Sequence, residues 1–362
     1  MDNLIHIHNI DSLIIDFYFT HDFPILDTNF EFKSILDDNS TYNNKIIKIT
    51  KNKLFHTFKH NIPKKIVISL SGGVDSMVML HMAAALNIKV DAFHIQYDNR
   101  EEAAQETAFL QHVCNNLNIN LHYFVFNQIN RKNTDRDLYE KVTNYIRFKC
   151  YQKWEDYTIL LGHIKNDIYE NIFRNIAINK NIFQLHGMNQ YDKIQNVNLY
   201  RPFLNTLKKD IFQFAKDYQI PYFKDTTPLW SVRGKYRNYL FPLLQEIYGS
   251  NVQNAFLNLA DTNKQLGEWF VQSTIIPYTK TIQISSNCIV MPLHKNIPYH
   301  MNIFWKNTLL LVIPQNINIP HKSLESLTTN IVTYMNNNKS KNVVINKNIN
   351  AKLENNNLIL FY

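Results

Sequence analysis

Cysteine is scarce in this 362-residue sequence. The three cysteines, Cys114, Cys150 and Cys288, lie far apart, and none belongs to a CxxC pair. A disulfide framework needs an even number of cysteines, and a structural zinc or iron–sulfur site needs clustered thiolates. The sequence therefore indicates neither a disulfide-stapled scaffold nor a cysteine-rich metal site, and it fits a reducing compartment.

Long apolar runs are missing as well. No run reaches the roughly 18 residues that a membrane-spanning helix requires. The opening stretch, MDNLIHIHNIDSLIIDFYFTHDF, carries acids early and has no basic region ahead of its apolar part, unlike a secretory signal or an Arg-rich transit peptide. We therefore expect a cytoplasmic protein without a membrane partner.

What the sequence does contain is ordinary for a folded protein with a basic surface. Hydrophobic residues make up 45%, charged residues 19% and aromatic residues 13% of the chain, which argues against disorder. The length suggests two domains, because domains usually span about 100 to 200 residues. The net charge of +8 favours a polyanionic partner such as nucleic acid.

Short β-branched runs alternate with helical stretches through the first two thirds of the chain. The predicted strands are Lys64–Leu70, Lys89–Ile95, Ile119–Phe126 and Tyr157–His163. A helical stretch follows each of them. This alternation predicts an α/β fold, a doubly wound parallel sheet with helices on both faces, whose ligands sit beyond the carboxyl ends of the strands.

The pattern changes along the chain and suggests three regions. Residues 1–50 show no period and are interpreted as an N-terminal extension. Residues 51–272 would form the α/β domain with a helical extension. Residues 273–362 would form a small α+β domain that binds tRNA in part, with early strands, two partly helical stretches and a terminal hairpin or meander.

The strongest chemical signal is the hexapeptide SGGVDS, between the first predicted strand and the following helix. It comprises Ser71, Gly72, Gly73, Val74, Asp75 and Ser76. Adjacent glycines let backbone amides approach phosphate oxygens, and a helix N-terminus favours an anion. Asp75 would repel a polyphosphate unless it held Mg²⁺ against it. The simpler alternative is a tight turn with Asp75 as helix cap. No Gly-Lys-Ser/Thr follows, so this is not a Walker sequence.

SGGVDS after a strand resembles the PP-loop of the N-type ATP-pyrophosphatases. That superfamily cleaves ATP to AMP and pyrophosphate while it adenylates a substrate. It includes GMP, NAD and argininosuccinate synthetases, tRNA thiolases and tRNA(Ile)-lysidine synthases, and the PP-loop alone does not choose among them.

A second motif follows the fourth predicted strand. GHIKNDIYEN, from Gly162, resembles the GHHxxDxxET motif of the lysidine synthases. His163, Asp167 and Glu170 match it, while Ile164 replaces the second histidine and Asn171 the threonine. On a helix these three matching side chains can face one site, where two carboxylates could hold a lysine ammonium group. The alternative is a capped, solvated helix end.

Weaker stretches follow the same family pattern in the same order. Glu140 and Arg147 match its ExxxRxxRY segment, although Asn144 replaces the first arginine. Later come LHGM from Leu185, RPFL from Arg201, and Asp225-Thr226-Thr227 with Arg237-Asn238, where Pro228 replaces a family asparagine. The resemblance covers roughly residues 55 to 250.

The resemblance to tRNA(Ile)-lysidine synthases implies a set of roles. ATP and Mg²⁺ would be the cofactors, and tRNA and lysine the partners. The SGGVDS residues would bind ATP, and Asp75 would also bind the metal. The catalytic residues would be Asp75, His163, Asp167 and Glu170. The substrate would be bound by Glu140, Arg147 and Arg237. The enzyme would adenylate the wobble cytidine's 2-oxygen, and the lysine ε-amine would then displace AMP.

Three other functions stay open. A PP-loop tRNA thiolase would share the nucleotide site, but it needs cluster ligands or a catalytic cysteine pair, and each cysteine here fits buried packing better. An amidotransferase would need a glutaminase domain or partner. A non-catalytic RNA-binding relic would have no need of Asp75 beside phosphate-binding amides.

Overall fold

The computed structural model describes residues 53–97, 102–129, 134–225, 227, 229–313, 319–346 and 349–361. Within these ranges the chain forms two compact units. The first unit contains the chain up to Lys180 and the segment from His186 to Leu257. The second contains the short segment Asn181–Leu185 and the chain from Asn258 onward. The division falls inside a helix, whereas the sequence suggests a boundary near residue 272. The predicted N-terminal extension, residues 1–50, lies outside the described residues.

The first unit contains six strands and most of the helices. Its strands are β1 Ile66–Ser69, β2 Val90–Tyr97, β3 Asn120–Phe126, β4 Thr158–Leu160, β5 Tyr191–Ile194 and β6 Val197–Tyr200. Its helices are α1 Lys53–Asn61, α2 Val74–Ala85, α3 Ala103–Asn116, α4 Arg136–Tyr151, α5 Lys165–Ala177, α6 Lys208–Asp217, α7 Val232–Lys235 and α8 Phe241–Tyr248, with a π-helical turn, Tyr236–Leu240, between the last two. Helix α9, Val252–Phe270, begins in this unit and continues into the second.

The six strands form one sheet in the order β3-β2-β1-β4-β6-β5. All neighbouring pairs are parallel except β5 with β6. The central strand β1 pairs Ile66 with Val90 on one side and with Thr158 on the other. Carboxyl ends of parallel strands meet at one edge, so the segments after β1, β4 and β6 come together there. The predicted doubly wound sheet is confirmed.

Helices cover both faces of this sheet, as the alternating residues of β1 show. Ile66 and Ile68 pack in one core with α2, α3 and α6. Val67 points to the opposite core, which includes Val142 and Ile146 of α4. Successive residues of a strand face opposite sides, so a strand buried on both faces reads as an unbroken apolar run. The sequence IVIS fits that rule.

The β5–β6 hairpin is a feature that sequence reasoning missed. β5 reads YDKI, is mostly exposed, and shows no apolar run. Its two-residue turn uses Gln195 (φ 50°) and Asn196 (φ 65°) instead of the Asn-Gly that usually marks such turns. Positive φ at both turn positions is the geometry that matches the twist of a hairpin.

The second unit is built on a five-stranded sheet with the order β7-β8-β11-β10-β9, antiparallel throughout. The strands are β7 Gln283–Ile284, β8 Cys288–Pro292, β9 Lys341–Asn346, β10 Ile349–Glu354 and β11 Asn357–Phe361. A second π-helical turn, Val271–Ile275, leads into α10 Ile276–Thr279, and a 3₁₀ turn covers Ile182–Gln184. The predicted C-terminal meander is confirmed.

Two helices of the second unit are longer than the sequence suggests. α11 spans Asn302–Val312 and α12 spans His321–Asn337, where only partial helices were expected. Both bury apolar residues in one core, including Trp305 and Leu327, each with no exposed surface. Tertiary burial stabilises helices whose Asn and Thr content gives them weak intrinsic propensity. No helix among the described residues is long and apolar enough to cross a bilayer.

Candidate active site

The SGGVDS segment forms a loop between β1 and α2, as expected. Val74 is the first residue of α2, and the Ser76 hydroxyl donates to the Gly73 carbonyl at 3.0 Å. The same hydroxyl accepts from the Ser71 amide at 3.3 Å and lies 3.2 Å from the Ser71 hydroxyl. These contacts close the loop at the N-terminus of α2, where backbone amides and the helix dipole favour an anion.

Gly72 is the residue in this loop that cannot carry a side chain. Its φ is +79°, and a Cβ there would lie 2.0 Å from the Phe223 ring. The Gly72 carbonyl also accepts from the Phe223 amide at 2.9 Å. Gly73 differs, since a Cβ there would meet only the Ser71 hydroxyl, at 3.6 Å, which is an ordinary contact distance.

A second glycine brings the end of β4 against the loop. A Cβ on Gly162 would lie 3.1 Å from the Asp75 Cβ and 3.3 Å from the Ser76 amide nitrogen. The glycine therefore allows close approach of two backbones. It places the next residue, His163, beside the SGGVDS loop.

Asp75 is paired with a lysine that the sequence did not single out. The Lys208 Nζ lies 2.6 Å from Asp75 Oδ2, and the side chains of the lysine and the aspartate are 32% and 19% exposed, respectively. The other carboxylate oxygen, Oδ1, is buried and has no hydrogen-bond partner. Burial raises the pKa of Asp75, Lys208 acts against that rise, and the charge of Asp167 adds to it.

The unsatisfied oxygen of Asp75 fits a role in holding Mg²⁺. Buried carboxylate oxygens normally have partners, so an orphaned one needs an explanation. Mg²⁺ usually binds one or two carboxylates and completes its shell with water and substrate phosphates. Asp75, at a loop whose backbone amides suit phosphate oxygens, meets that requirement, and the ion would neutralise charge on a bound polyphosphate.

His163 precedes α5, and Asp167 lies in the first turn of this helix. The Asp167 carboxylate accepts from the Ile164 amide at 2.9 Å and so caps the helix. The His163 Nδ1 accepts from the Nε of Arg201 at 3.1 Å. Burial lowers the pKa of His163 to about 4, Asp167 opposes that effect, and Arg201, Arg233 and Arg147 reinforce it. His163 is therefore neutral near pH 7.

Glu170 lies one turn further along α5, buried and held by arginines. Its Oε1 accepts from the Arg237 Nε at 2.6 Å, and its Oε2 lies 3.4 Å from the Arg233 Nε. Arg237 also approaches Asp167 at 3.7 Å and Asp225 at 3.3 Å. Burial raises the pKa of Glu170, while Arg237 acts to lower it. Three carboxylates thus share one arginine, and we refer to Asp167, Glu170, Asp225 and Arg237 as the carboxylate cluster.

Arg147 also reaches the site, from α4. Its side chain is exposed to solvent and lies near the hydroxyl groups of Tyr97 and Tyr151. No ion pair with a carboxylate is found for it among the residues that the structure describes. An arginine in this state has donors available for an anionic group of a ligand.

Glu140 is the predicted site residue that the structure does not bring to the others. It is on the surface of α4, 3.2 Å from Arg136 and 3.6 Å from Arg174. Unlike His163, Asp167 and Glu170, it does not line the cleft around the SGGVDS loop. The expected substrate-binding role of Glu140 therefore has no geometric support.

The remaining predicted residues line one open cleft of about 1530 Å³, apart from Gly72, which lies beneath it against Phe223. Basic and acidic side chains both line it: Arg147, Arg201, Lys208, Lys224, Arg233 and Arg237, with Asp75, Glu106, Asp167, Glu170 and Asp225. The SGGVDS loop and the carboxylate cluster thus share one cleft. A phosphate-bearing ligand and a cationic one can bind there next to each other.

Two charged residues that pair with side chains of this cleft escaped the sequence reasoning. Lys208 had a readable signal, because Lys208 and Lys209 begin α6, where the helix dipole disfavours cations. Asp192, which pairs with Arg201, had none, since it belongs to the unpredicted hairpin. Thr226 and Pro228, which follow Asp225, lie outside the described residues.

The cysteines are not placed for chemistry. Cys114 in α3 and Cys150 in α4 are buried, and Cys288 in β8 is partly buried. Burial raises the pKa of both Cys114 and Cys150 to about 12. A thiol with such a pKa is almost never a thiolate at neutral pH, and the thiolate is the reactive form.

Comparison with known proteins identifies the family. The model of the PP-loop domain matches residues 43–244, more than half of the chain. The chain therefore belongs to the PP-loop domain family, in which it is a divergent relative of curated tRNA(Ile)-lysidine synthases. Family membership implies that the protein uses ATP.

Two of these relatives illustrate the distance. The tRNA(Ile)-lysidine synthase of Chlamydia muridarum is 29% identical over 216 residues, which covers 58% of this chain and 66% of the relative. That of Chlamydia trachomatis serovar L2 is 28% identical over 223 residues, covering 58% and 67%. The chain thus spans about two thirds of the length of the curated relatives it matches.

Solved structures show a more distant likeness. The U34-tRNA thiolase NcsA from Methanococcus maripaludis, with its [4Fe-4S] cluster, aligns with 15% identity and a TM-score of 0.42 over 60% of this chain and 79% of that one. A likeness at this level supports no inference about activity.

Proposed function

We propose that this protein is an ATP-dependent tRNA-modifying ligase that adenylates the wobble cytidine of an isoleucine tRNA and joins lysine to it. One observation carries the proposal: the SGGVDS loop with Asp75 shares a cleft with the carboxylate cluster. The first suits a nucleoside triphosphate and the second an amino acid. The curated relatives named tRNA(Ile)-lysidine synthase support this choice of substrates.

The adenylation step would take place at the SGGVDS loop. The cytidine O2 attacks the α-phosphorus of ATP, the bond to the bridging oxygen breaks, and pyrophosphate leaves. Backbone amides of the loop and the Lys208 ammonium group would stabilise the negative charge that accumulates on the phosphates. Asp75 would hold Mg²⁺, which supplies charge neutralisation at the phosphates when bound.

Lysine would bind at the carboxylate cluster. The buried Glu170 and its neighbour Asp167 can accept hydrogen bonds from the α-ammonium group, and Arg237 or Arg147 can bind the α-carboxylate. The ε-amine must attack in its neutral form at C2 of the activated base. The C–N bond forms as the C2–O bond to AMP breaks, and a carboxylate of the cluster takes the proton released by nitrogen.

The basic charge of the protein would serve the tRNA. A net charge of +8 attracts a phosphate backbone and makes binding depend steeply on salt. The proposal includes binding of tRNA in part by the second unit, and a cytoplasmic location, where ATP, lysine and tRNA occur together.

The product tests this proposal directly. Unmodified tRNA(Ile) with a CAU anticodon is incubated with the protein, ATP, Mg²⁺ and isotopically labelled lysine, and its nucleosides are separated by mass spectrometry. Labelled lysidine at the wobble position is expected. A thiolated nucleoside, formed when a sulfur donor is supplied, would replace the proposal by the thiolase alternative. Release of ADP and phosphate in place of AMP and pyrophosphate would overturn it altogether.

A further inference from the structure

The β5–β6 hairpin supplies a chain of polar contacts that ends at His163. Arg201 follows β6 and is buried, with only 4% of its surface exposed. Its NH1 group donates to Asp192 of β5 at 2.5 Å and to the Asn189 carbonyl at 2.6 Å. Its Nε donates to His163 Nδ1 at 3.1 Å. One buried guanidinium therefore links the hairpin to the cleft.

The sheet register explains why this contact forms. β4 and β6 are parallel, with Leu160 opposite Tyr200, and the Leu161 amide donates to the Tyr200 carbonyl at 2.9 Å. The segments that leave the two strands therefore run side by side. His163 follows one strand and Arg201 the other, so the contact depends on β6 being the neighbour of β4.

The direction of this hydrogen bond fixes the form of the imidazole. An arginine side chain is always protonated in proteins and can only donate. Nδ1 of His163 must then be the unprotonated nitrogen, and in the neutral ring the proton sits on Nε2. A ring in this state offers an N–H to a ligand and has no free nitrogen with which to take a proton.

We propose that Asp192 and Arg201 are positioning residues that hold His163 as a neutral hydrogen-bond donor to phosphate oxygens in the cleft. Asp192 orients the guanidinium, and the guanidinium orients the imidazole. His163 lies beside the SGGVDS loop because Gly162 packs against Asp75 and Ser76. It therefore contributes a hydrogen bond to the adenylation step and does not act as its general base. The identity of the phosphate as that of ATP rests on the proposed function. The orientation and the donor role of His163 rest on the geometry alone.

The charges around His163 agree with this role. Asp167 of α5 favours the protonated ring, while Arg201 after β6, Arg233 of α7 and Arg147 of α4 disfavour it, in addition to burial. The result is a pKa of about 4, below the ordinary value of 6.5. His163 therefore keeps its donor form from about pH 5 upward, and acidification through pH 6.5 should not by itself change it.

The test reads the ring directly in the full-length protein without ATP or tRNA. Long-range ¹H–¹⁵N spectra of ¹⁵N-histidine protein identify the tautomer, with the signal of His163 assigned by its loss in His163→Gln. We expect a neutral Nε2–H ring between pH 5.5 and 8. Protonation of Nδ1 at pH 7, or a titration centred near 6.5, would overturn the proposal.

Two variants then separate positioning from a general loss of structure. Arg201→Met should raise the pKa of His163 from about 4 toward 6.5 and permit the other tautomer. It should also lower the rate of pyrophosphate release at pH 7 by roughly 10- to 100-fold, the range found when a partner that orients a metal-bound histidine is lost. An acid limb near pH 6 should appear in its pH profile. Lys193→Ala, on the exposed part of the same hairpin, should change neither the pKa and tautomer of His163 nor the rate of pyrophosphate release.

The outcomes distinguish this assignment from the proposed function. If the expected spectra are found but no lysidine forms, the positioning role stands and the substrate is wrong. If lysidine forms but Arg201→Met leaves both the tautomer and the pKa of His163 unchanged, the positioning role is wrong. His163→Gln, which keeps a neutral N–H donor, should retain more activity than His163→Ala; equal loss in both would also count against a donor role.

Discussion

The two ends of the cleft are built in different ways. We call the SGGVDS loop, which would bind the phosphates of ATP, the phosphate end. It consists of six consecutive residues, Ser71 to Ser76, and its shape depends on their order in the chain and on one glycine with positive φ. The carboxylate cluster brings Asp167 and Glu170 of α5 together with Asp225 and Arg237 from far along the chain. The first needs only a strand followed by a helix. The second exists only if the whole first unit folds, so its chemistry depends on tertiary packing.

Substitutions should therefore act differently at the two ends. At the phosphate end, most donors are backbone groups that a side-chain change does not remove, so only Asp75, Gly72 and the serines are vulnerable. In the carboxylate cluster the ion pairs with Arg237 are between side chains, and each buried charge depends on its partner. A change there should affect the second substrate more than ATP.

The largest effect is expected from Asp75→Ala. Loss of the carboxylate that we assign to the metal should lower tRNA-dependent pyrophosphate release by about 10²- to 10³-fold, because charge stabilisation at the phosphates is lost. The melting temperature should change little, since the freed Lys208 is 32% exposed and can be solvated. Pyrophosphate release and thermal melting measure the two quantities. Asp156→Ala is the control, because Asp156 also pairs with a lysine, Lys65 at 3.8 Å, but is 83% exposed. It should alter neither pyrophosphate release nor the melting temperature.

Gly72→Ala should show how much of the phosphate end is backbone geometry. The positive φ alone costs about 1–3 kcal/mol for a residue with a side chain. The clash with Phe223 adds to that. We expect a lower melting temperature and much weaker ATP binding by calorimetry. Gly73→Ala, with φ −68° and no close neighbour, should retain both; equal damage in the two variants would contradict the geometric explanation.

Glu170→Gln should separate the two ends of the cleft. The amide keeps the volume but loses the carboxylate that would accept from the lysine α-ammonium group. Such a charge-assisted bond is worth about 1.5–3 kcal/mol, so the KM for lysine should rise by roughly tenfold or more. Adenylation should continue, and adenylated tRNA should accumulate, as seen by transfer of label from [α-³²P]ATP. Glu140→Gln is the matched control, because Glu140 also pairs with two arginines but on the surface. Normal use of lysine by Glu170→Gln would place the amine site elsewhere.

The smallest effect is expected outside the cleft, on the exposed lysines of the second unit. Lys339→Ala with Lys341→Ala should weaken tRNA binding and reduce the slope of log affinity against log salt by about 0.9 for each phosphate that is no longer neutralised. ATP affinity should not change. Lys352, which pairs with Glu354 at 2.6 Å, should contribute less. Lys347, also expected to bind tRNA, lies outside the described residues. An unchanged salt slope would show that this unit has another role.

Much of the first unit follows from local pattern. The apolar β-branched run before Ser71 and the helical stretch after it predict a strand, a phosphate loop and a helix, and the structure contains all three. The shared position of Asp167 and Glu170 could also be predicted, since residues one turn apart on a helix share a face. His163 precedes the helix, and its place beside them depends on the close approach at Gly162. The position of Glu140 could not be predicted in this way, because the direction in which a surface carboxylate points depends on which cations lie near it in the folded chain.

Local sequence was enough to predict the phosphate loop and the parallel sheet, because both depend on residues close together in the chain and on the alternation of strand and helix. The partners of the charged groups emerged only in the folded chain: Lys208 for Asp75, Arg237 for Glu170, and the path from Asp192 through Arg201 to His163. Such pairs form between residues far apart in sequence, and strand order decides which of them meet. The neutral state of His163 likewise arises from burial and from arginines on three other segments, none of which its own motif contains.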